Sequence, residues 1–119
     1  MDRYLYRGQI KNEDGLWHTG GLYCEGGLDW ESSNWYIINS SLREHEVKYK
    51  TIGQCTGLKD KNGNLIFEGD IIQREDLKYC IVYYNKSGFF AFNDLLHDNA
   101  IHYEIIGNKH DSFELLKVK

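Results

Sequence analysis

Alternation of polar and apolar residues over short runs constrains this 119-residue chain most. It is clearest in "EHEVKYKTI", residues 44–52, where Glu44, Glu46, Lys48 and Lys50 alternate with His45, Val47, Tyr49 and Thr51. A helix repeating every 3.6 residues would scatter those four charges around its circumference, whereas a strand gathers them on one face. A strand is expected here, and the rest of the chain reads the same way. There is no Pro, so the turns fall to Asn, Asp and the twelve Gly. Nine Tyr, five Phe and three Trp add side chains that suit pleated, half-buried surfaces.

In the N-terminal half, "RYLYRGQIK" alternates, and Asp14-Gly15 signals a two-residue hairpin into "LWHTGGLYCE". Gly20-Gly21 predicts a bend or bulge in that return strand. "GGLDWESSN" reads as a polar loop leading into a short buried strand, "WYIIN". In the C-terminal half, Asn62-Gly63 marks a turn, and "LIFEGDIIQR" reads as a strand bent or bulged at Gly69. "KYCIVYYN" is expected as one buried strand, turned back at Lys86-Ser87-Gly88 into "FFAFN". "NDLLHD" fits one helical turn or a polar loop, "IHYEIIGN" a last strand, and "DSFELLK" a short C-terminal helix with an Asp or Ser cap. No repeat or linker divides the chain. The reading is one mainly β, antiparallel domain over 1–119, with N-terminal strands in 1–52 and the remainder in 53–119.

Charge and cysteine usage narrow the function classes. Fourteen basic against eighteen acidic residues leave a net charge of −4, which opposes general nucleic-acid binding because phosphates need a basic face. Three cysteines, Cys24, Cys55 and Cys80, form no CxxC pair. Reduced, partly buried thiols are expected, not a disulfide framework or a thiolate zinc site. No run approaches the ~20 apolar residues of a membrane span, and "MDRY" lacks the apolar core of a signal peptide. The expected location is the cytoplasm.

"GQCTGLKDKNGNLIFEGDII", residues 53–72, holds the residues most suggestive of chemistry. Asp60, Asn62 and Asn64 take the first, third and fifth places of a calcium loop. Leu65 then stands where Gly must make the sharp turn, and Ile71 where a bidentate Glu must close the shell. Gly53, Gly57 and Lys59 lack the spacing of a phosphate loop. Cys55 alone reads as a small buried hydrophobe rather than a nucleophile. Glu68 and Asp70 share one side of an ideal strand and could form a carboxylate pair, yet at a bend such groups accept backbone hydrogen bonds or face solvent. An enzyme built on them with a later histidine would need a cleft and a carboxylate of raised pKa. Among His18, His45, His97, His102 and His110, the nearest approach to a ligand cluster is His97 and His102 with Asp94 and Asp98, which reads as a solvated loop. The sequence assigns no catalytic, cofactor-binding or metal-ligating residue, and the chain is not expected to be an enzyme.

The same stretch closely resembles the core of the YopX family of phage and prophage proteins: Gly-Gln, Thr56-Gly57-Leu58, Asp60, Gly63, then Phe67-Glu68-Gly69-Asp70-Ile71. "YRGQIKNEDGLWHTGGLY", "YCIVYYNKSGFFAF" and "YEIIGNKHDSFELL" extend the resemblance over most of the chain. Cys55 replaces the usual aromatic, and no Pro precedes "ELL". The resemblance implies a small β-rich protein encoded by a phage or prophage, and it carries no catalytic residue or cofactor. By analogy, the Glu68-Gly69-Asp70 segment with its following strand pair looks like the start of an SH3-like barrel packed with the N-terminal strands.

Trp30 and Trp35 bracket "ESSN", while adjacent Phe89-Phe90 and Tyr83-Tyr84 must point to opposite faces of their strands. Either the N-terminal strands cover the second face, or that face is a protein-binding patch or oligomer interface. The leading expectation is an accessory protein that binds a phage or host protein or self-associates. The alternative is a small nucleic-acid-binding β-barrel using "KVK", Lys48 and Lys50.

Overall fold

The computed structural model describes residues 4–13, 15–85 and 88–112, which are mainly β with every pairing antiparallel. The chain divides into two units, Met1–Gln54 and Cys55–Lys119.

In the first unit, β1 (Tyr6–Gln9), β2 (Trp17–Glu25), β3 (Asn34–Ile38) and β4 (Glu44–Val47) lie side by side in the order β4-β3-β2-β1. The start of β5 (Gly53–Lys59) adds to β1 through Tyr6↔Gln54 and Arg7↔Gly53. Period-two alternation sorts the faces. Trp35 and Ile37 of β3 turn inward with Val47, and Tyr6, Leu22 and Ile52 pack against them. Tyr36 and Ile38 consequently point to the other face.

Three expectations change here. The strand over residues 44–52 stops at Val47, and Tyr49–Thr51 form a 3-10 turn. The end of β1 causes this: Gln9 carbonyl accepts from Lys48 N–H at 2.9 Å, and Gln9 N–H donates to Thr51 Oγ1 at 2.8 Å. Gly20-Gly21 produces no bulge either, since Tyr6↔Gly20 and Gly21↔Ile38 keep the ladders in step. A Cβ on Gly20 would sit 2.2 Å from the Ile38 carbonyl oxygen, so Gly20 admits a neighbouring backbone. The β1–β2 connection is also wider than two residues, with Ile10 N–H bonded to Leu16 carbonyl at 2.8 Å. Asp14 lies outside the described residues.

In the second unit, the rest of β5 pairs with β6 (Leu65–Phe67) across a register shift between Cys55 and Lys59. β7 (Asp70–Gln73), β8 (Tyr79–Ile81) and β12 (Glu104–Asn108) form one three-stranded sheet, in the order β12-β7-β8. β9 (Tyr83–Asn85), β10 (Gly88–Ala91) and β11 (Asp94–Leu95) form another. Ile66, Ile72, Val82, Phe89, Leu96 and Tyr103 make up most of the core. None of the sheets among the described residues closes into a barrel, so the mainly β reading stands without its SH3-like closure.

Gly69 bends the chain as expected, at φ 95°, and ends β6 before β7 begins. "KYCIVYYN" is two strands rather than one. Val82 between them is buried, and its N–H donates to Asp70 carbonyl at 2.9 Å, while β9 is exposed along its length. Of "NDLLHD", Leu96 and the residues after it form the one-turn helix α1 (Leu96–Asn99). Lys86, Ser87 and the proposed C-terminal helix from Phe113 onward lie outside the described residues.

Candidate functional site

The residues that suggested chemistry prove to hold the second unit together. Asp60 is 4% exposed. Its Oδ1 accepts from the N–H groups of Asn62 and Asn64 at 2.9 and 3.0 Å, and its Oδ2 from Ile105 N–H at 3.0 Å. That carboxylate closes the Asn62-Gly63 turn and ties it to β12, which commits the oxygens a cation would need. Asp70 is 1% exposed and accepts from Phe67 N–H at 2.7 Å across the Gly69 bend. Cys55 is fully buried, and all three thiols are free of disulfides, although Cys24 is exposed rather than partly buried.

The histidines distribute differently from their sequence spacing. His97 pairs with its neighbour Asp98 at 3.1 Å in the open. His102 and Asp94 line a 420 Å³ cleft with Arg74, Glu75, Asn99 and Tyr103, which includes neither Glu68 nor Asp70. Arg74 is engaged there, bonded to Asp76 at 2.8 Å and lying 4.4 Å over the Phe92 ring. Hydrogen bonding and charge from Arg74 hold the Asp76 carboxyl down at about 2. His18 and His45, 27 positions apart, meet edge-to-face with ring centroids 4.7 Å apart, a contact that no local spacing signals. Among the described residues, no three His, Cys, Asp or Glu side chains are grouped to hold a metal.

Tyr83 and Tyr84 of β9 are exposed in the second unit, and most other exposed aromatics lie in the first unit, on two faces. On one, Trp30, Trp35 and Tyr49 form a continuous stack with centroids 5.5 and 5.8 Å apart. Trp35 is the buried anchor, 7% exposed, while Trp30 is 66% exposed and Leu28 stands fully in solvent. The loop presenting them is braced from within. Ser32 Oγ accepts from Leu28 N–H at 3.0 Å and donates to Asp29 Oδ1 at 2.9 Å, and Asp29 Oδ1 accepts from Ser32 N–H at 2.9 Å. Ser33 Oγ lies 2.8 and 2.7 Å from the carbonyls of Gly26 and Asp29, and Trp35 Nε1 donates to Trp30 carbonyl at 2.8 Å. The bonds from Ser32 lower the Asp29 pKa. Leu28, Trp30 and the glycines Gly26 and Gly27 line a 510 Å³ hollow with Cys24, Asp29 and Ser33.

On the opposite face of the sheet, cross-strand partners Tyr23 and Tyr36 stack with centroids 5.1 Å apart and planes 16° from parallel. Strand alternation puts Glu25 of β2 and Glu44 and Glu46 of β4 on that face, with Glu46 directly beside Tyr36 and Glu44 beside Ile38. The Trp30–Trp35 bracket was legible in the sequence. Tyr49 was not, because it joins the stack only through the 3-10 turn that ends β4 early.

The fold and these surfaces define a small antiparallel β protein with a braced aromatic loop and an acidic tyrosine face. The chain belongs to the YopX family: the family model described as YopX protein matches residues 5–117. No curated protein matches the chain. Among the described residues, no helix is long and apolar enough to cross a membrane.

Proposed function

We propose that the chain is an accessory protein of a phage or prophage that acts by binding another protein, rather than by catalysis. The observation that carries this reading is the loop from Gly26 to Ser33, which holds Leu28 and Trp30 in solvent on a pre-ordered backbone. Apolar and aromatic side chains exposed at a cost to solubility, on a loop whose ordering entropy is already spent, resemble the anchors that dominate protein interfaces. The phage origin rests on the family resemblance. The chain's own second copy is one eligible partner, and the other is a phage or host protein.

The test is affinity capture from an infected or lysogenic host, with nuclease present, followed by binding of the purified captured protein to wild type and Trp30→Ala. Losing an interface anchor costs about 2 kcal/mol or more, a weakening of roughly thirtyfold. Affinity unchanged by both Trp30→Ala and Leu28→Ser would overturn the reading.

A second reading, nucleic-acid binding, has one supporting feature. Lys50 lines a hollow with Trp35 and Tyr49, and Lys11 and Lys48 line a neighbouring one, so aromatic rings and ammonium groups lie together as in single-strand binders.

A further inference from the structure

We propose that the sheet face bearing Tyr23 and Tyr36 docks a basic, extended segment of a protein partner, with an arginine side chain stacked on the tyrosines. This deepens the protein-binding reading, on a face separate from Trp30.

Three observations support it. The first is shape: the phenol rings of Tyr23 and Tyr36, on adjacent, hydrogen-bonded strands, stack nearly parallel, and Tyr23 is 39% exposed. A planar guanidinium can extend such a stack by lying parallel to an outer ring face while its N–H groups reach neighbouring carboxylates. The second is charge. Glu25, Glu44 and Glu46 share the face, and Lys11 meets Glu46 at 3.1 Å, but among the described residues neither Glu25 nor Glu44 forms an ion pair. From Thr19 to Leu42 the sequence contains no Lys, Arg or His. The phenol of Tyr23 registers this field, since hydrogen bonding to Glu44, then burial and the charges of Glu44 and Glu25, push its pKa up to about 12. The third is spacing. Tyr23 and Glu25 are alternate residues of one strand, about 7 Å apart along it. That interval matches alternate side chains of an extended peptide, which favours a linear basic segment over a single small cation.

The experiment titrates a fluorescein-labelled peptide of four Arg-Ser repeats with the full chain and reads anisotropy, with Lys-Ser and Glu-Ser repeats alongside. Saturable binding of the arginine peptide in preference to the lysine one is expected, because ammonium cannot stack as a plane. Glu44→Gln and Glu25→Gln, each nearly isosteric and checked by circular dichroism, should each weaken binding several-fold, and together by about tenfold or more. Tyr23→Leu should erase the arginine preference, and Trp30→Ala should leave peptide affinity unchanged. Peptide affinity indifferent to both Gln variants would overturn the proposal. So would self-association lost on the same substitutions, or a fluorescent oligothymidylate bound at this face. If Trp30→Ala abolishes partner capture while the Gln variants change nothing, the protein-binding reading survives and this docking surface does not.

Discussion

Tyr23 shows how far a single side chain reports on its surroundings. Its phenol has an ordinary pKa of 10.0 and is raised to about 12, first by hydrogen bonding to Glu44 and then by burial and neighbouring carboxylates. Because the folded value exceeds the unfolded one, the neutral phenol favours the folded state at all pH below about 10. That contribution is lost as pH rises through about 12. A tyrosinate absorbance titration should therefore show late-titrating tyrosines, Tyr23 among them with Tyr36 and Tyr103, and Glu44→Gln should move the Tyr23 step back toward its ordinary value. An unchanged titration in that variant would place the cause elsewhere. Asp60 makes the complementary point about legibility. Its local half, an aspartate two and four residues before the amides it caps, was visible as an Asp-x-Asn-x-Asn pattern and looked like a ligand set. Its other half, the bond to Ile105 N–H 45 positions away, depends on where β12 lies and had no trace in local spacing.

At the scale of elements, two adjacent glycines in β2 separate two roles that the sequence merged. Gly20 and Gly21 together suggested a bulge, yet an added Cβ would clash with the Ile38 carbonyl oxygen only at Gly20, and neither has positive φ. Gly20→Ala must push strands apart and should cost about 1–3 kcal/mol, in the range of overpacked sites. At Gly21 the nearest atom to an added Cβ is 3.9 Å away, so Gly21→Ala should be tolerated or slightly stabilising. Urea denaturation of both variants checks this through the midpoint, provided the slope is unchanged. Equal effects would refute the close-approach argument. Other boundaries were lost to the sequence for a shared reason, a change of partner strand that only the tertiary fold fixes. β4 gives way to the 3-10 turn where Lys48 and Thr51 bond to Gln9, and β8 gives way to β9 after Val82, the last residue bonded to the β7 side, before Tyr83 pairs with β10. The turn between β10 and β11 was hidden differently: Phe92 and Asn93 both take positive φ, at 53° and 66°, which the composition of Phe does not announce. Gly69 was legible because only glycine accepts its φ of 95° without strain, and the two strands on either side needed no distant partner to be recognised.

For the whole molecule, the arrangement of charge bears on the choice between partners more than its sum does. A net charge of −4 and a pI of 5.7 repel a polyanion at long range, and the stretch from Thr19 to Leu42 concentrates that repulsion beside the exposed aromatics. Lys11, Lys48 and Lys50 lie near the Trp35–Tyr49 stack, but Lys11 is already paired with Glu46 and Lys48 Nζ donates to Gln9 Oε1 at 2.9 Å. With the lysines partly occupied and few phosphates neutralised, little counterion release remains to drive nucleic-acid binding. A labelled oligothymidylate should consequently show no saturable binding at about 0.15 M salt, where screening extends only about 8 Å. Weak binding at low salt should vanish on modest salt addition, and Lys50→Glu should remove it. A protein partner anchored by Leu28 and Trp30 behaves oppositely, because burial of apolar surface is nearly indifferent to such salt. Its capture should persist through nuclease and through the same salt step. Oligothymidylate bound tightly at physiological salt, and lost in Lys50→Glu, would reverse the order of the two readings and make the aromatic stack a base-stacking platform.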